Sequence, residues 1–431
     1  MKPLVLKGGR VVDPSQRRDE VADVVLMGGT VAGIGRGQGT PDGAEVLDAA
    51  GLVVAPGFVD LHVHLREPGR EDAETIATGA RAAVAGGYTT VCAMPNTDPV
   101  CDNQAAVGFV LKQAREAGLA HVYPIGAVSL GQRGEYLTEF GEMVAAGAVA
   151  VSDDGKPVAT AHLMRTALEY AQTFGIPVID HCEDHSLTAG SAMHEGLVSA
   201  RLGLKGWPRS AEDVVVARDL ALAELTGGHV HLAHMSTAGA ARLIREAKAR
   251  GVRVTAEVTP HHLALTDACC EGYDTNAKMN PPLRETHDLE AMREALVDGT
   301  IDCIATDHAP HPYDAKDQEF DDAPFGIVGL ETALGVAMVE LVAPGRMGLP
   351  ALIHRMATRP AEIARLPAGT LRTGAPADVV AFDPAAEWTV DPTRFFSKSR
   401  NTPFAGRRLR GLVRWTVVGG RVAHAGGGAR P

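Results

Sequence analysis

The sequence has 431 residues, 45% of them hydrophobic and 22% charged, which is the composition of a globular protein and is long enough for one large α/β barrel with a small appended domain. A formal net charge of −12 argues against a general nucleic-acid-binding role, because phosphate contacts need clustered Lys and Arg. No run of about 18 apolar residues is present, so no membrane span is expected.

The opening segment, MKPLVLKGGRVVDP, lacks an apolar core of signal-peptide length, and a cytoplasmic location is expected. The first fifty or so residues read as short strands broken by Gly-Gly and Asp-Pro turns. The end of the chain has the same texture, in ADVVAFDP and GLVRWTVVGGRVAH. These pieces are expected to pair as one small β-sandwich domain made of residues 1–54 and 366–431. Arg394, Lys398, Arg400, Arg407, Arg408, Arg410 and Arg414 crowd this last part, as a solvated surface or as a docking patch for an acidic partner or neighbouring subunit.

Residues 55–365 alternate strand and helix. The strands are FVDLHVHL, YTTVCAMPN, HVYPIGAVS, AVAVSDDG, IPVIDHCED, HVHLAHMS, RVTAEVTPHH and IDCIATDHAP, and helical stretches such as AETIATGARAAVAGG and TAGAARLIREAKARG follow most of them. Eight such units predict a TIM-type (β/α)8 barrel. A doubly wound sheet would be favoured by a glycine-rich dinucleotide turn after an early strand, and none is found. The six cysteines (Cys92, Cys101, Cys182, Cys269, Cys270, Cys303) form no CxxC pair, so most are expected to be buried thiols.

A barrel carries its chemistry at the C-terminal ends of its strands. His62, His64 and Arg66 end the first strand, with alternation predicting one shared face. Asn96 ends the second, Asp153 and Asp154 the fourth, His181 the fifth and His234 the sixth. His261 and His262 end the seventh, and Asp307, His308 and His311 the eighth. HxH alone is weak, but this gathering of imidazoles and carboxylates is the donor set expected of a zinc site with an open position. Pattern alone leaves His229, His231 and His234 competing on the sixth strand, with position favouring His234, and does not separate Asp153 from Asp154.

PGFVDLHVHLREPG, MPNT, SDDG, HCED, LAHMST, KMNPPLR and ATDHAPH, in that order, resemble the dihydroorotases of the bacterial class I type, in the amidohydrolase superfamily. The resemblance extends through GTLRTGAPADVVAFDP to NTPFAG. It implies one or two zinc ions. His62, His64 and Asp307 would hold one, His181 and His234 the second, and Asp154 would bind or bridge them. It implies substrate contacts from His64, Arg66, Asn96, Asn280, His311, Phe325 and Gly326, and makes Asp307 the general acid/base. Many relatives bridge the metals with a carbamylated lysine. Here the position carries Asp154, and Lys156 reads as an ordinary loop lysine.

The implied reaction interconverts (S)-dihydroorotate and N-carbamoyl-L-aspartate in pyrimidine synthesis. Zinc would lower the pKa of water to about 7 and polarise the ring carbonyl, and Arg66 would grip the substrate carboxylate. A homo-oligomer (a dimer) is expected, with a complex with aspartate transcarbamoylase as a further option. Residues 311–326, HPYDAKDQEFDDAPFG, read as a long acidic loop poor in core residues, a candidate lid. The rival readings are a hydantoinase or allantoinase, whose substrates lack that carboxylate, and a catalytically dead scaffold, which would have lost metal ligands.

Overall fold

A computed structural model describes residues 2–426. Residues 1 and 427–431, the ends of the expected terminal domain, lie outside the described residues. The N-terminal segment forms β1 (Leu4–Asp13), β2 (Arg18–Met27), β3 (Thr30–Gly35), β4 (Glu45–Asp48) and β5 (Val53–Pro56). β1 and β2 pair antiparallel, and β1 carries a register shift between Leu6 and Gly9. At that shift side chains pack over the backbone: a Cβ on Gly9 would lie 2.6 Å from Val54 Cγ2. Below the shift β1 pairs with β4, and beyond it with β5.

The central part begins with β6 (Phe58–Val63), β7 (Tyr88–Ala93) and β8 (His121–Pro124), a parallel three-stranded sheet. It continues with β9 (Val151–Ser152) and β10 (Val178–Asp180), then with the short pair β11 (Met193–His194) and β12 (Gly206–Trp207). β13 (Val230–Leu232), β14 (Val254–Val258) and β15 (Cys303–Ile304) complete a parallel five-stranded sheet, ordered β15-β14-β13-β10-β9. Two isolated parallel bridges, Gly126 to Val151 and Val63 to His308, link the ends of the two sheets. The sheet residues Val59, Leu61, Cys92, Ile125, Ala150, Ile179, Ala233 and Cys303 pack into one buried apolar cluster.

Helices separate most of these strands. Ile76–Ala85, Gln104–Ala117, Ala161–Gln172 and Ala238–Ala249 start at Thr75, Asn103, Thr160 and Thr237, whose side chains accept from the first-turn amides. Their apolar faces pack on the strands: Leu163, Met164, Ala167, Leu168 and Ala171 of the third are all buried.

The chain closes with β16 (Val379–Thr389), β17 (Arg408–Val418) and β18 (Arg421–Ala425). β16 pairs antiparallel with β5, Val54 opposite Ala381. The two ends of the chain therefore share one eight-stranded sheet, ordered β18-β17-β16-β5-β1-β2-β3 with β4 on β1. It has its own core of Leu4, Leu6, Val24, Leu26, Val31, Val54, Leu371, Val379 and Val417. The basic C-terminal side chains are mostly held locally: Arg407 pairs with Glu340, Arg408 with Glu387 and Arg414 with Asp383. All six cysteines are free, and five are buried. No helix among the described residues is long and apolar enough to cross a membrane.

Candidate metal and substrate site

Six side chains from five strand ends meet at one end of the central sheets. His62 lies on β6, and His64 just beyond its end. His62 Nε2 is 3.3 Å from Asp154 Oδ2 and 3.5 Å from Asp307 Oδ1. His64 Nε2 is 3.4 Å and 3.0 Å from the same two oxygens. On the other side of Asp154, its Oδ1 is 3.6 Å from His181 Nδ1 and 3.5 Å from His234 Nε2, and those two nitrogens are 2.9 Å apart. Asp154 thus presents one oxygen to each pair of histidines. His234 and Asp307 hold φ of +37° and +45°, a left-handed conformation uncommon outside glycine and often found at functional sites.

The donor set fits a small divalent ion. Ligands about 2.0–2.2 Å from a tetrahedral centre lie about 3.3–3.6 Å from one another, the spacing of most pairs here, with His64–Asp307 and His181–His234 closer at 3.0 Å and 2.9 Å. His62 Nε2 and Asp154 Oδ1 are buried without a hydrogen-bond partner, a cost that a cation would remove. His62, His64 and Asp307, and again His62, Asp154 and His234, offer ligand atoms within 4.8 Å of one another.

The electrostatics of the cation-free cluster point the same way. Burial disfavours the His62 imidazolium, but Asp154, Asp307 and Glu257 outweigh it and hold its pKa well above the usual value. Burial likewise works against His181, yet Asp154 and Glu183 lift it to about 10. Against their own burial, the histidines hold Asp154 and Asp307 below the carboxylate range. Protons on these imidazoles occupy the place a cation would take.

A second layer of hydrogen bonds orients these side chains. His64 Nδ1 donates to Asn96 Oδ1 at 2.9 Å, and His62 Nδ1 donates to Glu257 Oε1 at 2.7 Å. His181 Nε2 donates to Glu183 Oε2 at 2.9 Å, and that oxygen also accepts from Asn280 Nδ2 at 3.2 Å. Sequence reasoning passed over Glu257 and Glu183. The signal for Glu257 was available: a lone carboxylate in the apolar run VTAEV, two residues from Thr255 and on the same strand face. Glu183 stood in the quoted HCED motif without a role.

Several expectations resolve on this geometry. His234, and not His229 or His231, reaches the cluster, whereas His231 turns to Glu257. Asp153 accepts from the Ser129 amide, leaving Asp154 for the centre. His308 pairs with Glu74, and His262 with Thr259 and the Pro281 carbonyl. Lys156 is exposed and donates to the Gln132 carbonyl at 3.2 Å. The shared strand face does not extend to Arg66. β6 ends at Val63, and Arg66 has φ +62°, so a left-handed turn and not strand alternation sets its side chain.

Arg66 Nε donates to the Pro310 carbonyl at 3.1 Å. Burial lowers its pKa to about 10, so it stays cationic at neutral pH. His311 Nε2 donates to the Phe325 carbonyl at 2.8 Å. With the proton so placed, the 3.4 Å approach of Arg66 Nη2 to that nitrogen is contact only, and that edge of the guanidinium stays free. Gly326 is required by close approach: a Cβ there would lie 2.6 Å from both the Ala309 carbonyl oxygen and His311 Cδ2. Phe325, Asn280, Glu183, Lys278 and Trp207 line an adjoining cavity of about 740 Å³.

The acidic loop 311–326 is better anchored than its composition suggests. Phe320 and Ala323 are buried, and Lys316 Nζ donates to the Pro324 carbonyl at 2.8 Å. Trp207 comes from the β11–β12 excursion, which stands outside the eight-unit sequence pattern.

Comparison with known proteins supplies the family. A family profile described as "Dihydro-orotase-like" matches residues 51–240. A curated dihydroorotase from Anaeromyxobacter dehalogenans is 58% identical over 423 residues, covering 98% of each chain. The chain belongs to the dihydroorotase family. The dihydroorotase of Pelotomaculum thermopropionicum is also 58% identical, over 97% of this chain and 98% of that one. Among solved structures, the L-hydantoinase (dihydropyrimidinase) from Arthrobacter aurescens superimposes with a TM-score of 0.89 at 26% identity, covering 100% of this family member and 98% of the hydantoinase. A D-hydantoinase from Thermus sp. gives 0.83 at 25% identity, over 99% and 97% of the two chains. An α/β fold and a cyclic-amidohydrolase ancestry are common to all of these.

Proposed function

We propose that the protein is a dihydroorotase that interconverts (S)-dihydroorotate and N-carbamoyl-L-aspartate with the help of zinc. The observation that carries the reading is Asp154, whose two oxygens each face a separate pair of imidazoles. In this reading His62, His64 and Asp307 would hold one zinc and His181 and His234 a second, with Asp154 facing both sets. Nitrogen and carboxylate donors in this mixture suit zinc. When bound, zinc lowers the pKa of water to about 7 and polarises a carbonyl oxygen.

The chain's own residues do the rest. Arg66 takes the substrate carboxylate on its free edge, which a planar fork can do with two parallel hydrogen bonds. Asn96 spends its carbonyl on His64 and keeps its Nδ2 as a donor toward substrate. Asn280 spends its Nδ2 on Glu183, which leaves a buried, unpartnered Oδ1 to accept from a ring N–H. His311, Phe325 and Gly326 form the facing wall. Asp307 is ionised, since the neighbouring histidines hold its pKa below the usual range against burial. It takes the proton of the attacking water and returns it to the ring nitrogen as the amide bond breaks. Dihydroorotate carries one carboxylate and carbamoyl aspartate two, so ring closure consumes a proton and acid favours it.

The architecture that presents these residues is read as a closed eight-stranded (β/α)8 barrel of residues 55–365, the two bridges joining its arcs. The described parts of residues 1–54 and 366–431 are read as the small β-sandwich domain, with its own core and with β1 changing partner at its register shift. The deciding experiment is a spectrophotometric assay with dihydroorotate and with hydantoin, alongside metal analysis of the wild type and Asp154→Asn. Turnover of dihydroorotate by zinc-loaded wild type, lost with the metal in the variant, is expected. Full activity without bound metal, or preference for hydantoin, overturns the reading.

A further inference from the structure

The polar residues left over by the ligand set line up behind His62. On β14, Thr255 and Glu257 are two apart and face the same way, and His229 and His231 do likewise along β13 and the residue before it. The parallel register sets His231 beside Thr255. The result is an unbroken series of hydrogen bonds. His62 Nδ1 lies 2.7 Å from Glu257 Oε1, and His231 Nε2 lies 3.0 Å from Glu257 Oε2. His231 Nδ1 and His229 Nε2 lie 2.8 Å and 2.9 Å from the same Thr255 oxygen. His229 sits at the edge of a cavity of about 370 Å³, also lined by Arg253, Arg365 and Gln172.

The direction of every bond in this series follows from one group. Glu257 is buried between two imidazoles, with His62 Nδ1 at one carboxylate oxygen and His231 Nε2 at the other, an arrangement in which a carboxylate accepts from both. Both of its neighbours must therefore donate. A proton on His231 Nε2 makes its Nδ1 an acceptor, which the Thr255 hydroxyl supplies. Thr255 in turn accepts from His229. Each partner fixes the hydrogen position of the next, ending at a proton on His62 Nδ1.

We propose that His231, backed by Thr255 and His229, is a positioning residue for the metal centre: it keeps Glu257 satisfied on both oxygens, and Glu257 fixes the tautomer that turns the His62 Nε2 lone pair toward the cation. The inference rests on His62 being a metal ligand, as read above. Losing the His231 donor would leave Glu257 Oε2 bare in a buried setting, where an unmet acceptor is expensive, and would loosen the orientation of His62.

The test compares full-length His231→Leu, His231→Gln and Thr255→Val with wild type. Zinc affinity is measured by competition with a chromophoric chelator, and the His62 Nδ1–H···Glu257 bond is read from imidazole ¹⁵N shifts of the zinc-saturated protein. His231→Leu is expected to weaken zinc binding by about 10–100-fold and to shift the Nδ1–H signal of His62. His231→Gln keeps an amide donor for Glu257 and should recover most of both. Thr255→Val preserves shape and should give a smaller loss, which keeps the test decisive even if His231→Leu does not fold. Zinc affinity unchanged in all three variants, or an equal loss in the Leu and Gln variants, overturns the proposal. Wild type that binds no zinc would instead sink the metal-site reading itself.

Discussion

The terminal sheet and the histidine mouth are built on opposite principles. In the sheet, side chains such as Leu6, Val24, Val54 and Val379 fill an aliphatic core, and no buried side-chain nitrogen or oxygen there lacks a partner among the described residues. At the mouth, His62, Asp154, His234, His261, Asn280 and His311 each keep a buried polar atom without one. Arg66, His234 and Asp307 there also hold left-handed backbone conformations. The sheet is optimised for its own stability. The mouth carries unpaired donors, acceptors and strain that only a bound partner relieves.

Four measurements sharpen or break that contrast. The largest effect is expected from Asp307→Asn, which removes the proposed proton carrier. The value of kcat for dihydroorotate should fall by about 10²–10⁴-fold with the fold intact, and a fall under tenfold would remove Asp307 from the chemistry. Next is Leu6→Ala in the terminal sheet. It should cost about 2–5 kcal/mol in denaturant unfolding while the folded fraction keeps its kcat, and a change in kcat would show that sheet and mouth are not separable. Third, Arg66→Lys exchanges a planar fork for a point charge. A loss of about 1.5–3 kcal/mol in substrate binding, seen mainly in KM, is expected, whereas an unchanged KM would put the substrate carboxylate elsewhere.

The smallest effect per measurement is the pH dependence of metal binding. Without a cation, His181 keeps a proton up to about 10 because Asp154 and Glu183 overcome its burial. A metal must displace that proton, so apparent affinity should rise with pH below about 10, by about tenfold per unit for each proton released. Proton uptake on zinc addition, measured by pH-stat, would contradict this. The raised folded-state value also stabilises the metal-free protein fully below the ordinary histidine value of 6.5, a contribution lost as pH climbs toward about 10. The thermal midpoint of chelated protein should therefore slope downward over that window, and zinc should flatten it.

Much of the mouth could be read in the sequence because strand ends are marked twice, by apolar runs and by the polar residues that follow them. His62, His64, Asp154, His181, His234 and Asp307 all fall at such junctions. Legibility failed where position depends on backbone outside the repeat. Arg66 was assigned by strand alternation, but the strand stops three residues earlier and a turn places it. Trp207 enters from an excursion with no periodic signature. Lys316 and Phe320 anchor a loop whose acidic composition suggested freedom. Glu257 carried a sequence signal, a lone carboxylate in an apolar strand, but its role depends on the two histidine partners that only the fold brings to it.

The pairing of β5 with β16 has a consequence for how the molecule is made. More than three hundred residues separate Val54 from Ala381, so on the ribosome the first five strands emerge long before their partner exists. The edge of β5 stays open while the central units assemble, a ready template for the wrong neighbour. Chains cut short before residue 379 would carry the clustered histidines and aspartates yet leave that edge uncapped, open to pairing with the wrong strand until β16 arrives.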